Sequence, residues 1–344
     1  MRVLLDTTFA RRGPTGTGVY LERVAAALRG LDVEVLEEAN PRRRPPAGGG
    51  LGSLRNAAVD RRWTAVELPR RAREVGADVL HHPLPALSAA PGAPPQVVTL
   101  HDLAFERLPA AFDPRFRAFA RRAHRSAARR AGAVLCVSET TARDAAALWG
   151  VPGERIVVAP HGPGQIQGPP PDAGERRHLL YVGDAEPRKN LELLLAGYAA
   201  YRAAGSGQPL PLVLAGAVDV AAPGVRVEER PTRGRLEVLY AGTVALVHAS
   251  LYEGFGMTAL EAMAAGVPVL AGRAPGVVET CGEAAAYFDP RDSDDLAAAL
   301  LALTRDEALR ERLAAAERER AAAFSWERSA RAHLEAYTLA VQRP

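Results

Sequence analysis

HASLYEGFGMTALEAMAAGVPVLA, residues 248–271, follows an apolar run at 245–248. It reads as the end of a strand, a glycine-bearing turn, a helix over 258–265 and another strand over 267–270. Such continuous apolar strands alternating with helices belong to a parallel sheet covered on both faces. Glu253 and Glu261 bracket Gly254 and Gly256, in a turn that exposes backbone amides at a helix start, where anions are favoured. Glu253 would lie beside that anion, and Glu261 would reach a neighbouring sugar hydroxyl. The same letters admit a second reading, because Thr258-x-x-Glu261 has the form of a capping box in which Glu261 closes on a backbone N–H. Both readings stand at this point.

Outward from this segment the alternation continues in both directions. Strands are expected at 179–182, 212–215 and 225–228, with helices at 191–204 and 233–240; the first half gives strands at 2–5, 33–36, 78–81, 97–100 and 134–137 and helices at 19–28, 64–75, 114–131 and 140–149. Residues 41–52 (PRRRPPAGGGLG) read as a mobile surface loop, and 160–174, with five prolines and four glycines, as a domain boundary. The chain has 344 residues, room for two domains. The expected fold class is α/β, with doubly wound domains over 1–165 and 166–325. Ser325 would cap a last helix, 326–344, that returns to the first domain.

Composition narrows the function classes. Apolar residues make up 48% and charged residues 24%, as in a globular enzyme. No apolar run reaches a membrane span and MRVLLD is no signal peptide, so a cytoplasmic protein is expected. Cys136 and Cys281 are too isolated for a disulfide framework. Residues 1–165 carry 24 arginines against 16 acids, and the remainder is acidic. Of 43 basic residues 42 are arginine, and Lys189 is the only lysine. Where every other cation has become Arg, a surviving Lys points to a need for the compact ammonium.

The candidate site residues follow from position. Gly13, Gly16, Thr17 and Gly18 follow the first strand, either to approach a phosphate or merely to turn. Arg188-Lys189-Asn190 opens a helix at the carboxyl end of a strand, where anionic ligands bind. His101-Asp102 invites a general-base reading, though isolated histidines are mostly structural. His81, His82 and His161 lack metal spacing and read as loop residues, and Asp289–Asp295 as a helix start capped by Asp292 or Ser293. Residues 115–130 hold seven arginines and no acid. The stripe Phe112, Phe116, Phe119, Ala123, Ala127 suggests an ordinary amphipathic helix docked on its sheet, with peripheral contact to an anionic membrane through Arg115 to Arg130 as the alternative. Nucleic acid is not expected, since no aromatics interleave on the charged face. A nucleotide-dependent oxidoreductase is the rival enzyme, on Glu37 and Glu38 after the glycine loop, but the lone lysine has Ala185 four residues before it, where Tyr-x-x-x-Lys needs tyrosine.

With these residues in view, the chain resembles a retaining glycosyltransferase of family 4. The likeness is carried by Glu253-x7-Glu261 within the opening segment, YVGDAEPRKNLELLLAGY (181–198), VTLHDLAFERLP (98–109), VSETTARDAA (137–146) and GPTGTGVYLERV. It runs through nearly the whole chain and is nearest to the mannosyltransferase-like branch. The resemblance implies the GT-B fold, two Rossmann-like domains facing across a cleft, and a metal-independent, front-face transfer of a hexose. The donor would be a nucleotide sugar, GDP-mannose favoured over UDP- or dTDP-sugars, and the acceptor a hydroxyl of a glycan, lipid-linked or small molecule. By the same resemblance Lys189 binds the diphosphate, Glu261 the ribose and Glu253 the sugar hydroxyls. The amides of Phe255, Gly256 and Met257 hold the distal phosphate and sugar, Gly16 and Gly18 close over them, His101 approaches the sugar, and Glu229 and Arg230 flank the base. One departure is Asp184, where many relatives carry Arg, so that Arg188 would supply the second cation.

Overall fold

The computed structural model describes residues 1–10, 15–44, 51–170, 175–204 and 208–343. Gly13 and parts of the stretches 41–52 and 160–174 lie outside them. The chain divides into two compact units, Met1–Gly162 with Ser325–Pro344, and Pro163–Phe324.

In the first unit β1 (Arg2–Asp6), β2 (Glu34–Glu38), β3 (Val79–His82), β4 (Gln96–Leu100), β5 (Ala133–Cys136) and β6 (Ile156–Val158) form a parallel sheet in the order β2-β1-β3-β4-β5-β6. Its helices are α1 (Gly16–Arg29), α2 (Leu51–Arg62), α3 (Leu68–Glu74), α4 (Ala104–Arg107), α5 (Pro114–Arg130) and α6 (Glu139–Trp149). A π-helical turn, Trp63–Glu67, joins α2 to α3, so helix begins well before the expected residue 64. Trp63 and Leu68 anchor that stretch on Leu4 and Leu80.

In the second unit β7 (His178–Val182), β8 (Leu212–Ala215), β9 (Val225–Glu228), β10 (Thr243–His248), β11 (Val269–Gly272) and β12 (Ala286–Phe288) are parallel in the order β12-β11-β10-β7-β8-β9. The helices are α7 (Leu191–Ala204), α8 (Arg233–Ala241), α9 (Met257–Ala264), α10 (Pro275–Cys281), α11 (Ser293–Arg305) and α12 (Glu307–Ala321). The strand order reverses between β7 and β10, and it is outside the carboxyl ends of strands at such a reversal that open sheets bind ligands. Asp292 caps α11 by accepting the N–H groups of Asp294 and Asp295. That engages the acidic cluster with backbone.

The final helix, α13 (Trp326–Val341), belongs to the first unit. Ser325 caps it, accepting the Arg328 N–H at 3.2 Å. Tyr20, His81, Thr99, His333 and Tyr337 bind it to α1 and the sheet through contacts of 2.8–2.9 Å. The proton order follows from one end. The Ser329 carbonyl can only accept, so His333 Nδ1–H donates to it, 2.7 Å, and neutral Nε2 accepts from Tyr20. Thr99 then donates to Tyr20, His81 Nε2–H to Thr99, and Tyr337 to His81 Nδ1. His81 and His82 are therefore buried strand residues, 0% and 1% exposed, and not loop residues. His161 does lie beyond β6, buried and stacked on Trp326 at 5.3 Å.

The expectation for α5 is overturned. Ala120, Ala127 and Ala128 form its buried face, while Phe116 and Phe119 are 45% and 66% exposed. Three small methyl groups allow close approach to the sheet and turn the bulky rings outward.

All eight histidines have pKa values lowered by burial, six of them in the first unit: His81, His82, His101, His124, His161 and His333. In the unfolded chain each takes a proton near pH 6.5, so their folded-state neutrality costs stability progressively as pH falls below that value. Glu261 and Glu317 of the second unit act in the opposite sense. Burial raises them to about 7 and about 8, so the folded carboxyls keep protons that the unfolded chain releases, and stability rises as pH falls towards 4.5. Hydrogen exchange, corrected for intrinsic rates, should show α1 and α13 losing protection between pH 7.5 and 5 ahead of α7 and β10. Equal losses in both units would contradict this.

Candidate functional site

The turns after β7 and β10 emerge beside the strand-order reversal of the second sheet. Pro187–Lys189 forms a single 3-10 turn, and Asn190 leaves it with φ 58°, so the two cations precede α7 and do not open it. Asparagine tolerates that left-handed backbone, and its Nδ2 donates to the carbonyls of Ala249 at 3.1 Å and Pro290 at 2.8 Å. The Leu251 N–H also donates to the Arg188 carbonyl, 2.9 Å. These bonds stitch the two turns together.

Between them lies Glu253. Lys189 Nζ is 2.5 Å from Oε1 and Arg188 Nη1 is 2.8 Å from Oε2, while Ser250 Oγ donates to Oε1 at 2.9 Å. Burial pushes this carboxyl up, but Lys189 and then Arg188 outweigh it and hold it far below the ordinary carboxylate range. It is ionised at any working pH. Arg188 Nε reaches Glu186 as well, at 2.8 Å. His248 Nε2 stands 3.7 Å from Oε1, and burial lowers its imidazole to about 4, leaving it neutral. Asp184 has a separate task, accepting the Ala217 N–H at 2.8 Å and so tying the β7 turn to the β8 turn.

The loop Gly254-Phe255-Gly256 leads into α9. Gly256 is the N-cap at φ 94°, a conformation glycine takes without strain, and it offers no side chain to cap the helix. Among the described residues no side-chain cap bond closes the start of α9, at Met257 and Thr258. Thr280 Oγ1 donates to the Phe255 carbonyl at 2.5 Å, and Phe255 packs edge-on against Phe324. A Cβ on Gly276 would come within 2.2 Å of the Glu253 carbonyl oxygen, so only glycine lets α10 wedge this loop in place.

Glu261 makes no capping box. Its Oε1 accepts the Gln165 N–H at 2.6 Å, and Oε2 takes the Tyr240 hydroxyl at 3.4 Å. It fastens the chain just after Pro163 to α9, and Gly164 passes so close that a Cβ there would lie 2.2 Å from Oε1. The same Tyr240 hydroxyl also donates to the Thr258 carbonyl at 3.4 Å.

In the first unit Thr15 caps α1, its Oγ1 accepting the Gly18 N–H at 3.2 Å. Gly16 is exposed, Thr17 half-buried and Gly18 buried in the first turn. A Cβ on Gly16 would meet nothing within 4 Å, so packing does not demand glycine there. His101 stands after β4 with its ring 4.9 Å from Tyr20, edge to face. Burial lowers it to about 4, and its Nε2 has no hydrogen-bond partner among the described residues. It is a neutral acceptor, not a poised base. Glu37 pairs with Arg29 of α1 at 2.6 Å, which engages the acid a dinucleotide ribose would need. No group of three or more His, Cys, Asp or Glu suited to a metal occurs among the described residues.

The structure therefore brings Arg188, Lys189 and Glu253 into contact, with Glu261 on the adjoining helix, and keeps Gly16, Thr17, Gly18 and His101 within the first unit. Sequence reasoning named Asn190 only as the last residue of the Arg188-Lys189-Asn190 run and missed Ser250, Gly164 and Gly276, of which Pro275-Gly276 was a legible signal.

Two family models match this chain in succession: Glycosyltransferase Family 4 over residues 14–162, and Glycosyl transferases group 1 over 166–320. The chain belongs to glycosyltransferase family 4. Among curated relatives, the Escherichia coli O-antigen chain mannosyltransferase B is 34% identical over 178 residues, 47% of this chain and 46% of that protein. The chain spans about half the length, or less, of the curated relatives it matches. Among solved structures, a sucrose-phosphate synthase from Thermosynechococcus elongatus superposes with TM-score 0.76 at 20% identity, covering 98% of each chain. Anabaena HepE in complex with UDP and glucose superposes with TM-score 0.69 at 18% identity, covering 97% of this chain and 98% of that one. The fold is GT-B.

In this family member the doubly paired carboxylate makes a prediction that needs no substrate. Glu253→Gln leaves Lys189 without its counter-ion and Arg188 with Glu186 alone, and should cost about 3 kcal/mol of stability. Inorganic pyrophosphate should then raise the melting temperature of Glu253→Gln more than that of the parent, and raise that of Lys189→Ala least. Equal shifts in all three would show that the cations do not form an anion site.

Proposed function

We propose that this chain transfers a hexose from a nucleoside-diphosphate sugar to a hydroxyl, with retention and without a metal ion. The observation that carries this reading is the pairing of Arg188 and Lys189 on one buried carboxylate, beside the uncapped start of α9. Glu253 and Glu186 balance the two cations in the free protein, Lys189 keeps N–H groups that can turn to a diphosphate, and Arg188 fills the role that Asp184 cannot. Glu253 is suited to accept hydrogen bonds from sugar hydroxyls. Held by Lys189, Arg188 and Ser250, and far too acidic to take a proton, it is a poor base and a poor nucleophile. That favours a front-face course in which the departing diphosphate accepts the proton of the incoming hydroxyl, while fixed cations and helix amides stabilise its growing charge. Two side chains serve here for the charge that a divalent ion meets in metal-dependent transfers.

The remaining roles rest on family likeness together with local chemistry. Glu261 keeps capacity at Oε2 for a ribose hydroxyl. His101 Nε2, neutral and without a partner among the described residues, would accept a hydroxyl of the sugar, and Gly16, Thr17 and Gly18 would approach it through backbone. Glu229 and Arg230, exposed after β9, would flank the base. GDP-mannose is the favoured donor because the E. coli relative is a mannosyltransferase. HepE, solved with UDP and glucose, keeps UDP-sugars in the test.

Lys189→Ala should lower initial-rate glycosyl transfer, or donor hydrolysis, by ~10² to 10³ with circular dichroism unchanged, the usual loss for one preorganised charge donor. Lys189→Arg should also be impaired, because a planar fork cannot occupy the place of a compact ammonium beside Arg188. Parental rates in the alanine variant would remove Lys189 from the site. Turnover should persist in EDTA, and restoration of a lost rate by Mg²⁺ or Mn²⁺ would overturn the metal-independent course. A thermal-shift screen of GDP-, UDP- and dTDP-sugars should give its largest shift with GDP-mannose.

A further inference from the structure

His248, the last residue of β10, is 4% exposed, and neither ring nitrogen has a hydrogen-bond partner among the described residues. His81 and His333 of the first unit differ, since each bonds through both nitrogens. A neutral imidazole carries one N–H and one lone pair, so burying it without partners costs stability that an apolar side chain of similar size would keep. What the ring faces is Glu253. Nε2 stands 3.7 Å from Oε1, short of a hydrogen bond by about 1 Å or less. Oε1 is already held by Lys189 Nζ at 2.5 Å and Ser250 Oγ at 2.9 Å, and Arg188 lies on Oε2. Tyr181, which lines the same gap, turns its hydroxyl to the Asp184 carbonyl at 3.3 Å. The imidazole therefore stands next to an oxygen that a cation now occupies.

We propose that His248 is a positioning residue for Glu253: when a diphosphate draws the Lys189 ammonium away from Oε1, the Nε2–H of His248 takes its place there. The inference rests on the reading of Lys189 as a phosphate ligand. Glu253 is buried, and a buried carboxylate that loses a charged donor without replacement is strongly disfavoured, so the loss would weaken binding of the diphosphate itself. A neutral N–H from the end of β10 removes that penalty without adding a third cation. Burial keeps the ring neutral, with Lys189 and Arg188 acting in the same sense against the pull of Glu253. Packing alone does not account for the residue, because leucine would fill the same space and leave no polar atom unpaired.

The test uses the full chain and inorganic pyrophosphate. His248→Leu should melt at or above the parental temperature when free, yet bind pyrophosphate about tenfold or more weakly, two effects of opposite sign that a packing role would not produce. His248→Gln, whose side-chain amide presents an N–H at similar reach, should recover most of that affinity. Long-range proton–nitrogen spectra of protein carrying labelled histidine, with the His248 signals assigned by their loss in the glutamine variant, should place the ring proton on Nε2 in the pyrophosphate complex. The same should hold in ligand-free Lys189→Ala, where substitution has already removed the ammonium from Oε1. If pyrophosphate does not bind the parent, the phosphate reading fails and this proposal with it. If it binds, but the ring proton sits on Nδ1 in the complex or in Lys189→Ala, or His248→Leu binds as tightly as the parent, the role of His248 is overturned and the phosphate site stands.

Discussion

Two cations on adjacent residues repel each other, and burying both is tolerable only if an anion is held between them. Lys189 and Arg188 find theirs in Glu253, which is distant in sequence and reaches them only because β7 and β10 are neighbours at the reversal of strand order. Much of the second unit's local geometry answers to that requirement. Asn190 takes a left-handed conformation to clamp Ala249 and Pro290, Leu251 binds the Arg188 carbonyl, and Gly276 gives up a side chain so that α10 can press on Glu253. None of these contacts is large alone, and together they remove the freedom of two turns to drift apart.

The first unit solves a different problem with different chemistry. Its buried polar groups are neutral rings and hydroxyls in one directed chain of hydrogen bonds, running from Tyr337 through His81, Thr99 and Tyr20 to His333 and the Ser329 carbonyl. A single proton added to His81 or His333 would leave a donor facing a donor. The chain therefore specifies tautomers as well as contacts, and it fastens α13 to α1 by a device that salt cannot screen but acid can break.

How much of this could be read in the letters varied with the range of the cause. Strands such as Leu212–Ala215 and the helix Leu191–Ala204 were legible to the residue, because apolar runs and periodicity are local. Glu253, Lys189 and Arg188 were legible as a set through family likeness, their mutual contact less so. The capping box at Thr258 and Glu261 had the right spacing, but Glu261 is drawn away by the Gln165 amide, a partner 96 residues distant. The phenylalanines of α5 satisfied a helical wheel, yet alanines gave the closer fit to the sheet. His81 closed the expected strand 78–81, yet with His82 it read as a loop residue for want of metal spacing, and partners from other elements hold both inside the sheet. In each case the competing term was tertiary, and a pattern confined to one segment could not register it.

The lone lysine ties composition to geometry. In a chain whose other 42 basic residues are arginine, position 189 alone carries an ammonium. Here Nζ approaches Oε1 of Glu253, an oxygen that also accepts the Ser250 hydroxyl, while Arg188 occupies Oε2. A guanidinium at position 189 would seek both oxygens at once, in the bidentate geometry its fork favours, and would have to displace either the serine or Arg188. An ammonium makes a single contact and keeps two further N–H groups, which can turn towards a second anion without surrendering the first. The arrangement thus keeps the site's charge nearly balanced in the free protein and still offers donors to a phosphate, a combination that a second arginine could not supply in the same space.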